Sequence, residues 1–374
     1  MKNLIYSIFR TEDEDFQSAL LTLTESWSLA KPIIRINIFA AIFNNEDYVR
    51  KYNILKDHLF SVYPSSIPTF SLIAQAPLAS SLVAEVQYFD GELDELRYDL
   101  YANVPYVVYE NEQVKSLYIS GVQSDVINVS FRQQSVDVFN TIAAVFEKEG
   151  FGVCDIVRQW NYLERIVDFE NEYQHYQAFN DARTAFYATG QWSEGYPAAT
   201  GIGMQSGGVI VDIDAIKYSK DVLSIVPIDN QLQIAAHEYS KRLLISEVEN
   251  KTTPKFERAK AVDFVDDGGV IYISGTAAIR GEESLHNATL KEQLVTTVEN
   301  IEYLIGDENL NHAGMSDVCT RSYKLLRVYL KHDKFVTEAK ELLQRMFPSL
   351  PMSFLLADVC RDELLIEIEG IATY

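Results

Sequence analysis

Leu117-Tyr118-Ile119-Ser120-Gly121 returns as Ile271-Tyr272-Ile273-Ser274-Gly275, an offset of 154 residues counted from Tyr118 to Tyr272. Val211-Asp212-Ile213-Asp214-Ala215-Ile216 returns as Ile366-Glu367-Ile368-Glu369-Gly370-Ile371, an offset of 155 counted from Val211 to Ile366. Two matches at nearly one spacing, in the same order, identify an internal duplication of whole folding units. The stretches between them repeat too. Each Tyr-Ile-Ser-Gly strand leads through a polar break into a helix-like stretch, Ser130 to Glu149 and Ser284 to Ile305. A strand rich in β-formers follows, Ile156 to Trp160 and Leu325 to Tyr329, and then a second helix, around Glu170 to Tyr187 and Lys334 to Phe347. Each closing strand alternates acid and apolar residues, the period of a half-buried strand.

A shorter echo opens the chain. Ile33 to Phe39 reads as a strand, Glu46 to Val62 as an amphipathic helix, and Leu82 to Val86 as a closing strand. Tyr63-Pro64-Ser65-Ser66-Ile67-Pro68 parallels Phe347-Pro348-Ser349-Leu350-Pro351. The expected organisation is α+β: a degenerate or half unit over 1–90, a full unit over 91–235, and a second over 236–374.

Composition narrows the function. Of 374 residues, 47% are hydrophobic and 23% charged, as in a folded globular protein. Lys and Arg number 32 against 54 Asp and Glu, a net charge of −22. That field repels a polyanion, so nucleic acid is not an expected partner. A small anion would need a local arginine or lysine pocket. Cys154, Cys319 and Cys360 form an odd set without paired spacing, which argues against a disulfide framework or zinc knuckle and for a reducing compartment. The start of the chain lacks the shape of a signal peptide, and no apolar run has the ~18 residues of a membrane span. A cytoplasmic protein, not membrane-bound, is expected. The six histidines have no metal-ligand spacing, and no phosphate loop or Ser-His-Asp order stands out; no cofactor and no metal are expected.

The closing Ile366-Glu367-Ile368-Glu369-Gly370-Ile371-Ala372 is similar to the signature that ends RidA/YjgF proteins, small chorismate mutase-like α+β units that assemble as trimers with ligand sites between subunits. That resemblance implies an intramolecular pseudo-trimer. A narrower one rests on Arg158-Gln159-Trp160-Asn161-Tyr162-Leu163, Phe179-Asn180-Asp181-Ala182-Arg183, and Tyr196-Pro197-Ala198-Ala199-Thr200-Gly201-Ile202-Gly203. It continues with Pro254-Lys255-Phe256-Glu257-Arg258-Ala259, Ser274-Gly275-Thr276-Ala277-Ala278-Ile279 and Asp358-Val359-Cys360-Arg361. In order and content these resemble the chorismatases, which remove pyruvate from chorismate and are built on RidA-like units. The match covers roughly residues 150–374.

The resemblance makes Glu367 the proton donor to the methylene carbon of an enolpyruvyl ether. Such a donor must stay protonated near neutrality, which a dry pocket provides. The alternative is that Glu367 and Glu369 share a face that simply meets water. The resemblance also implies that Cys360, seven residues earlier, marks the branch releasing 3-hydroxybenzoate, its bulk letting the ring hydroxyl instead of water capture the cationic carbon. Otherwise Cys360 is an inert core residue. Two substrate carboxylates call for arginine forks; by motif position these are Arg183 and Arg258, with Arg158 in reserve. Thr200 and Gly201 could offer backbone N–H groups, Tyr196 and Tyr239 are ring contacts, as is Tyr187, and Ala277 belongs to the Ser-Gly-Thr-Ala piece. Chorismatases run through an Ala-Tyr pair and a Tyr-Gly turn, whereas this chain has Ala236-His237-Glu238-Tyr239 and then a charged passage, Lys241 to Thr253, that would alter or close a pocket. Three classes therefore stay open: a chorismatase yielding 3-hydroxybenzoate, a RidA-like enamine, imine or other enol-ether hydrolase, and a non-catalytic binder of a small anionic ligand. The expected state is a monomer or weak homo-oligomer.

Overall fold

The computed structural model describes residues 3–27, 31–238, 240, 252–265, 268–315 and 321–374. Tyr239, Cys319 and most of the 241–253 passage lie outside the described residues. The first unit runs β1 (Leu4–Thr11), α1 (Phe16–Ser26), β2 (Ile33–Ala40), α2 (Asn45–Val62), β3 (Thr69–Ile73) and β4 (Leu82–Phe89). The second opens with a hairpin, β5 (Leu96–Tyr101) and β6 (Val104–Glu110), before β7 (Val114–Gln123), α3 (Phe131–Glu149) and β8 (Ile156–Glu164). After a small ribbon of β9 (Phe169–Glu170) and β10 (Tyr173–Gln174) come α4 (His175–Tyr187), β11 (Ala198–Met204) and β12 (Val209–Tyr218). The third unit has β13 (Leu223–Ile228), β14 (Ala259–Phe264), β15 (Gly269–Ala277), the ribbon β16 (Ile279–Arg280) and β17 (Glu283–Ser284), and α5 (Leu290–Leu304). It ends with α6 (Asp307–His312), β18 (Ser322–Leu330), α7 (Val336–Met346), β19 (Met352–Leu356) and β20 (Ile366–Thr373).

Strand order exposes a threefold repeat. The sheets run β1-β4-β2-β3, then β7-β12-β8-β11, then β15-β20-β18-β19, the last two extended by β6-β5 and β14-β13. In each, the last two neighbours are parallel, as a β-helix-β crossover requires, and the other pairs are antiparallel. The first unit thus carries the same six-element core as the others, without the leading hairpin.

Helices cover one face of each sheet. Ile366 and Ile368 of β20 pack with Leu294 of α5 and Leu343 of α7, while Val211 and Ile213 of β12 pack with Ile142 of α3. A capping box between Thr289 and Glu292 starts α5, and Ser130 caps α3, each worth about 1 kcal/mol. The opposite faces meet one another: Ile34, Val157, Tyr118, Tyr272 and Ile371 share a core drawn from all three sheets. The acids of the closing strands therefore point inward between sheets, not to water. Glu367, Glu369, Asp212 and Asp214 are all buried.

Charge sets how the units join. Arg35, Arg158 and Arg327 hold the same place on β2, β8 and β18, opposite Gln87, Asp214 and Glu369. Arg35 pairs with Asp214 of the second unit at 2.6 Å, Arg158 with Glu369 of the third at 2.5 Å, and Arg327 with Glu85 of the first at 2.5 Å. The ring closes on itself around a central cavity of about 510 Å³. Buried pairs add little net stability, because desolvation offsets the attraction, but breaking one costs about 3–5 kcal/mol. Each of the three pairs links strands of two different units across a joint.

Candidate functional site

The joint between the second and third units holds a cavity of about 850 Å³, part of it open to solvent. Its shape starts with the repeated Ser-Gly. Along β15 the ladder to β20 pairs Ile273 with Gly370 and resumes with Thr276 opposite Ile368, so Ser274 and Gly275 form a bulge. Ser274 turns its backbone N–H to the Arg258 carbonyl (3.0 Å) and its hydroxyl to the Glu257 carbonyl (2.6 Å). Gly275 donates its N–H to the Thr200 hydroxyl oxygen (3.0 Å). The Glu367 carboxylate lies directly over Gly275, where any Cβ would run into Oε1.

Glu367 lines the cavity and is 4% exposed. Among the described residues, no hydrogen bond reaches its carboxylate. Burial pushes its pKa up, the nearby Glu369 pushes further, and Arg158 and Arg258 pull back only in part, leaving it at about 8. At neutral pH the side chain is a carboxylic acid. Glu369, two residues along the same face, is held differently. It accepts from Arg158 Nη2 (2.5 Å), Arg327 Nη1 (2.6 Å), Tyr329 Oη (3.1 Å), Trp160 Nε1 (3.2 Å) and the Thr200 hydroxyl. One strand face thus presents an uncharged acid beside an anchored anion.

Cys360 stands on the cavity wall, and burial followed by the Glu367 charge pushes its thiol up to about 12. It contributes volume, not a thiolate. Arg258, 3% exposed, lines the cavity with its guanidinium 5.6 Å from the Phe256 ring and donates from Nη2 to the Ile234 carbonyl (2.6 Å). Arg361 lines it from the other side, donating from Nη1 to the Glu282 carbonyl and the Ser284 hydroxyl, both at 2.9 Å. Tyr176 and Gln177 of α4 and Ala199 and Gly201 of β11 complete the second unit's side.

Of the residues expected from sequence, Glu367, Cys360, Arg258, Gly201 and Ala277 meet in this cavity. Thr200 stands behind it, between the two glutamates. Arg158 is not on this wall: it lines the central cavity, and its Nη2 is held by Glu369 and Thr200. Arg183 also lies off the wall, 2% exposed on the buried face of α4. It donates to Asn180 (2.6 Å), packs on the Phe179 ring, and among the described residues has no carboxylate partner. Tyr196 is drawn away by aromatic packing, stacked on Tyr187 at 5.8 Å with Trp192 at 5.1 Å. Beside the undescribed passage, Thr252 donates to Asp181 (2.7 Å) and Thr253 to the His237 carbonyl (2.9 Å). Arg361, Tyr176 and Gln177 were not expected. Arg361 could have been, since it directly follows Cys360 in the quoted motif.

Residues 106–214 match the family described as chorismatase FkbO/Hyg5-like, N-terminal. A 3-hydroxybenzoate synthase of Streptomyces hygroscopicus is 32% identical over 60% of this chain and 65% of its own length. A chorismatase of Streptomyces rapamycinicus is 30% identical over 59% and 64%. The chain thus spans just under two thirds of these curated relatives. A chorismatase crystal structure at 1.08 Å resolution superposes over 98% of both chains with a TM-score of 0.71 at 17% identity, which establishes the fold. In sequence and in architecture the chain resembles the chorismatases. Among the described residues, no helix is long and apolar enough to cross a membrane.

Proposed function

We propose that this protein is a chorismatase-type enzyme that cleaves the enolpyruvyl ether of chorismate to pyruvate and 3-hydroxybenzoate. The observation that carries the reading is Glu367, a buried carboxyl without hydrogen-bond partners among the described residues, facing a cavity that Arg258 and Arg361 also line. A substrate with two carboxylates suits those guanidinium groups. Glu367 hands its proton to the methylene carbon, forming the C–H bond of the pyruvate methyl and leaving a cationic carbon bonded to the ether oxygen. The ring hydroxyl oxygen bonds to that carbon and gives up its proton, closing a cyclic ketal. The bond from the ring to that oxygen then breaks, the oxygen leaves as the carbonyl of pyruvate, and the former ether oxygen stays on the ring. Loss of the ring proton beside it completes the aromatic ring; of the two protons given up, one recharges Glu367 and the other makes the phenol. The two products together hold all the atoms of chorismate, so no water is consumed.

Cys360 fits the same scheme as a wall that keeps water from the cationic carbon; its neutral thiol needs no other role. The experiment is direct. Purified protein given chorismate, without added metal or nucleotide, releases pyruvate in a lactate dehydrogenase-coupled assay, and chromatography finds 3-hydroxybenzoate in equal amount. Chorismate absorbance that stays constant at high enzyme concentration refutes the activity. A dihydrodiol in place of 3-hydroxybenzoate refutes the branch.

A further inference from the structure

Glu369 lines the central cavity and not the cleft of Glu367, and its carboxylate is gripped from two units. Arg158, Trp160 and Thr200 come from the second, and Arg327 and Tyr329 from the third. Thr200 links this grip to the acid. Its hydroxyl donates to Glu369, its Oγ1 accepts the N–H of Gly275, and its methyl lies beside the spot over Gly275 where the Glu367 carboxylate rests. A clamped carboxylate is therefore built behind the cleft, on the wall of the central cavity.

The groups facing Glu367 are Glu369 on its own strand, Arg158 from β8, Arg258 from the segment before β14, and Cys360 and Arg361 from the segment before β20. Unopposed, the arginines would draw the proton off. Arg158 is not unopposed, because Glu369 sits 2.5 Å from it.

We propose that Glu369 is a positioning residue of this site: clamped by Arg158, Arg327 and Thr200, its carboxylate offsets the arginine charge and holds the proton on Glu367. The inference rests on reading Glu367 as the acid, and charge is the property at stake. Glu369→Gln keeps shape and bulk while removing it; Glu369→Asp keeps the charge.

The first arm of the test uses no substrate. Infrared difference titration follows the carboxylic-acid band of Glu367, assigned by its absence in Glu367→Gln. In the unaltered protein the band is lost around pH 8. In Glu369→Gln the loss moves down by about one pH unit or more, and in Glu369→Asp it stays near its original place. The second arm is the pH profile of pyruvate release. Its alkaline limb moves down with the band, so Glu369→Gln is several-fold slower at about pH 8 and nearly unimpaired at about pH 6.

An unmoved band in Glu369→Gln, or a rate reduced equally at every pH, overturns the proposal. If Glu369→Gln does not fold, Arg158→Gln reads the same coupling with opposite sign: the band moves up, and an unmoved or lowered band overturns it. A band that shifts as described in a protein inert toward chorismate supports the role of Glu369 and refutes only the substrate.

Discussion

The joint between the first and second units and the joint between the second and third are built from the same parts, yet only the second holds this cleft. Asp212 sits on β12 opposite Trp160 as Glu367 sits on β20 opposite Tyr329. Gly121 closes a bulge in β7 as Gly275 does in β15. Ser71 and Thr200 hold the same register, opposite Asn37 and Trp160. The flanking residues differ. Phe70 and Leu72 stand in the closed joint where Ala199 and Gly201 stand in the open one. The Phe70 carbonyl occupies the place that a Cβ on Gly121 would take, and the Phe70 ring lies 6.0 Å from Tyr52 of α2. Asp212 is held by one oxygen: Oδ1 accepts from Ser71 Oγ (2.5 Å) and the Gly121 N–H (2.8 Å), while Oδ2 is buried without a hydrogen-bond partner among the described residues. Burial raises the pKa of both acids. A buried acid is thus not enough to make a site. The facing strand must also leave room, and the local donors must be engaged elsewhere, as Thr200 is with Glu369.

The most drastic way to break the comparison is to import the closed joint. Ala199→Phe, which places the equivalent of Phe70 in the cleft, should abolish pyruvate release while the thermal midpoint holds or rises; a near-normal rate would mean the chemistry happens elsewhere. The two bulge glycines should then fail in different ways. Gly275→Ala pushes on a movable carboxylate, so soluble protein should form with its rate lowered by about 100-fold. Gly121→Ala meets backbone at a φ of +66°, so it should cost about 1–3 kcal/mol in denaturant unfolding. Equal stability losses in the two variants would erase the distinction.

Stability should also record the uncharged acid. The folded pKa of Glu367, about 8, lies above the ordinary value of about 4.3, so its stabilising contribution is full below about pH 4 and is lost as pH rises toward 8. Glu367→Gln removes that loss. The variant should match the unaltered protein near pH 4 and exceed it by up to a few kcal/mol at pH 8. Asp212→Asn should differ with the same sign, without touching the reaction. Denaturant titrations at both pH values check this, and a pH-independent difference contradicts it. The smallest expected effect is at the wall: Cys360→Ala should change the ratio of 3-hydroxybenzoate to diol more than the rate, read by chromatography. An unchanged mixture returns Cys360 to a packing role.

Much of this was legible in the chain because the repeated Ser-Gly strings are the bulges that shape two of the joints. β1 and α1 were not, since Leu4–Thr11 pairs with β4 in unbroken register and carries no such string. The acid/apolar alternation in β20 has the period of a half-buried strand, but the third layer is another sheet, not water, so Glu367 and Glu369 are buried together. The roles of the arginines were hidden for a related reason. Arg158 meets its acid 211 positions away in sequence, and only the pseudo-trimer brings them together. Arg183 and Tyr196 sit in motif segments that border the site while their side chains pack behind it. Motif membership located the neighbourhood; the sheet registers decided which face each residue serves.

The most direct test of the acid at the centre of the cleft is the rate of pyruvate release from chorismate by Glu367→Gln, measured on folded protein at neutral pH beside the unaltered enzyme. The account predicts a loss of at least about 100-fold, because the amide matches the acid in shape but has no such proton to give. A rate within a few-fold of the original would contradict it.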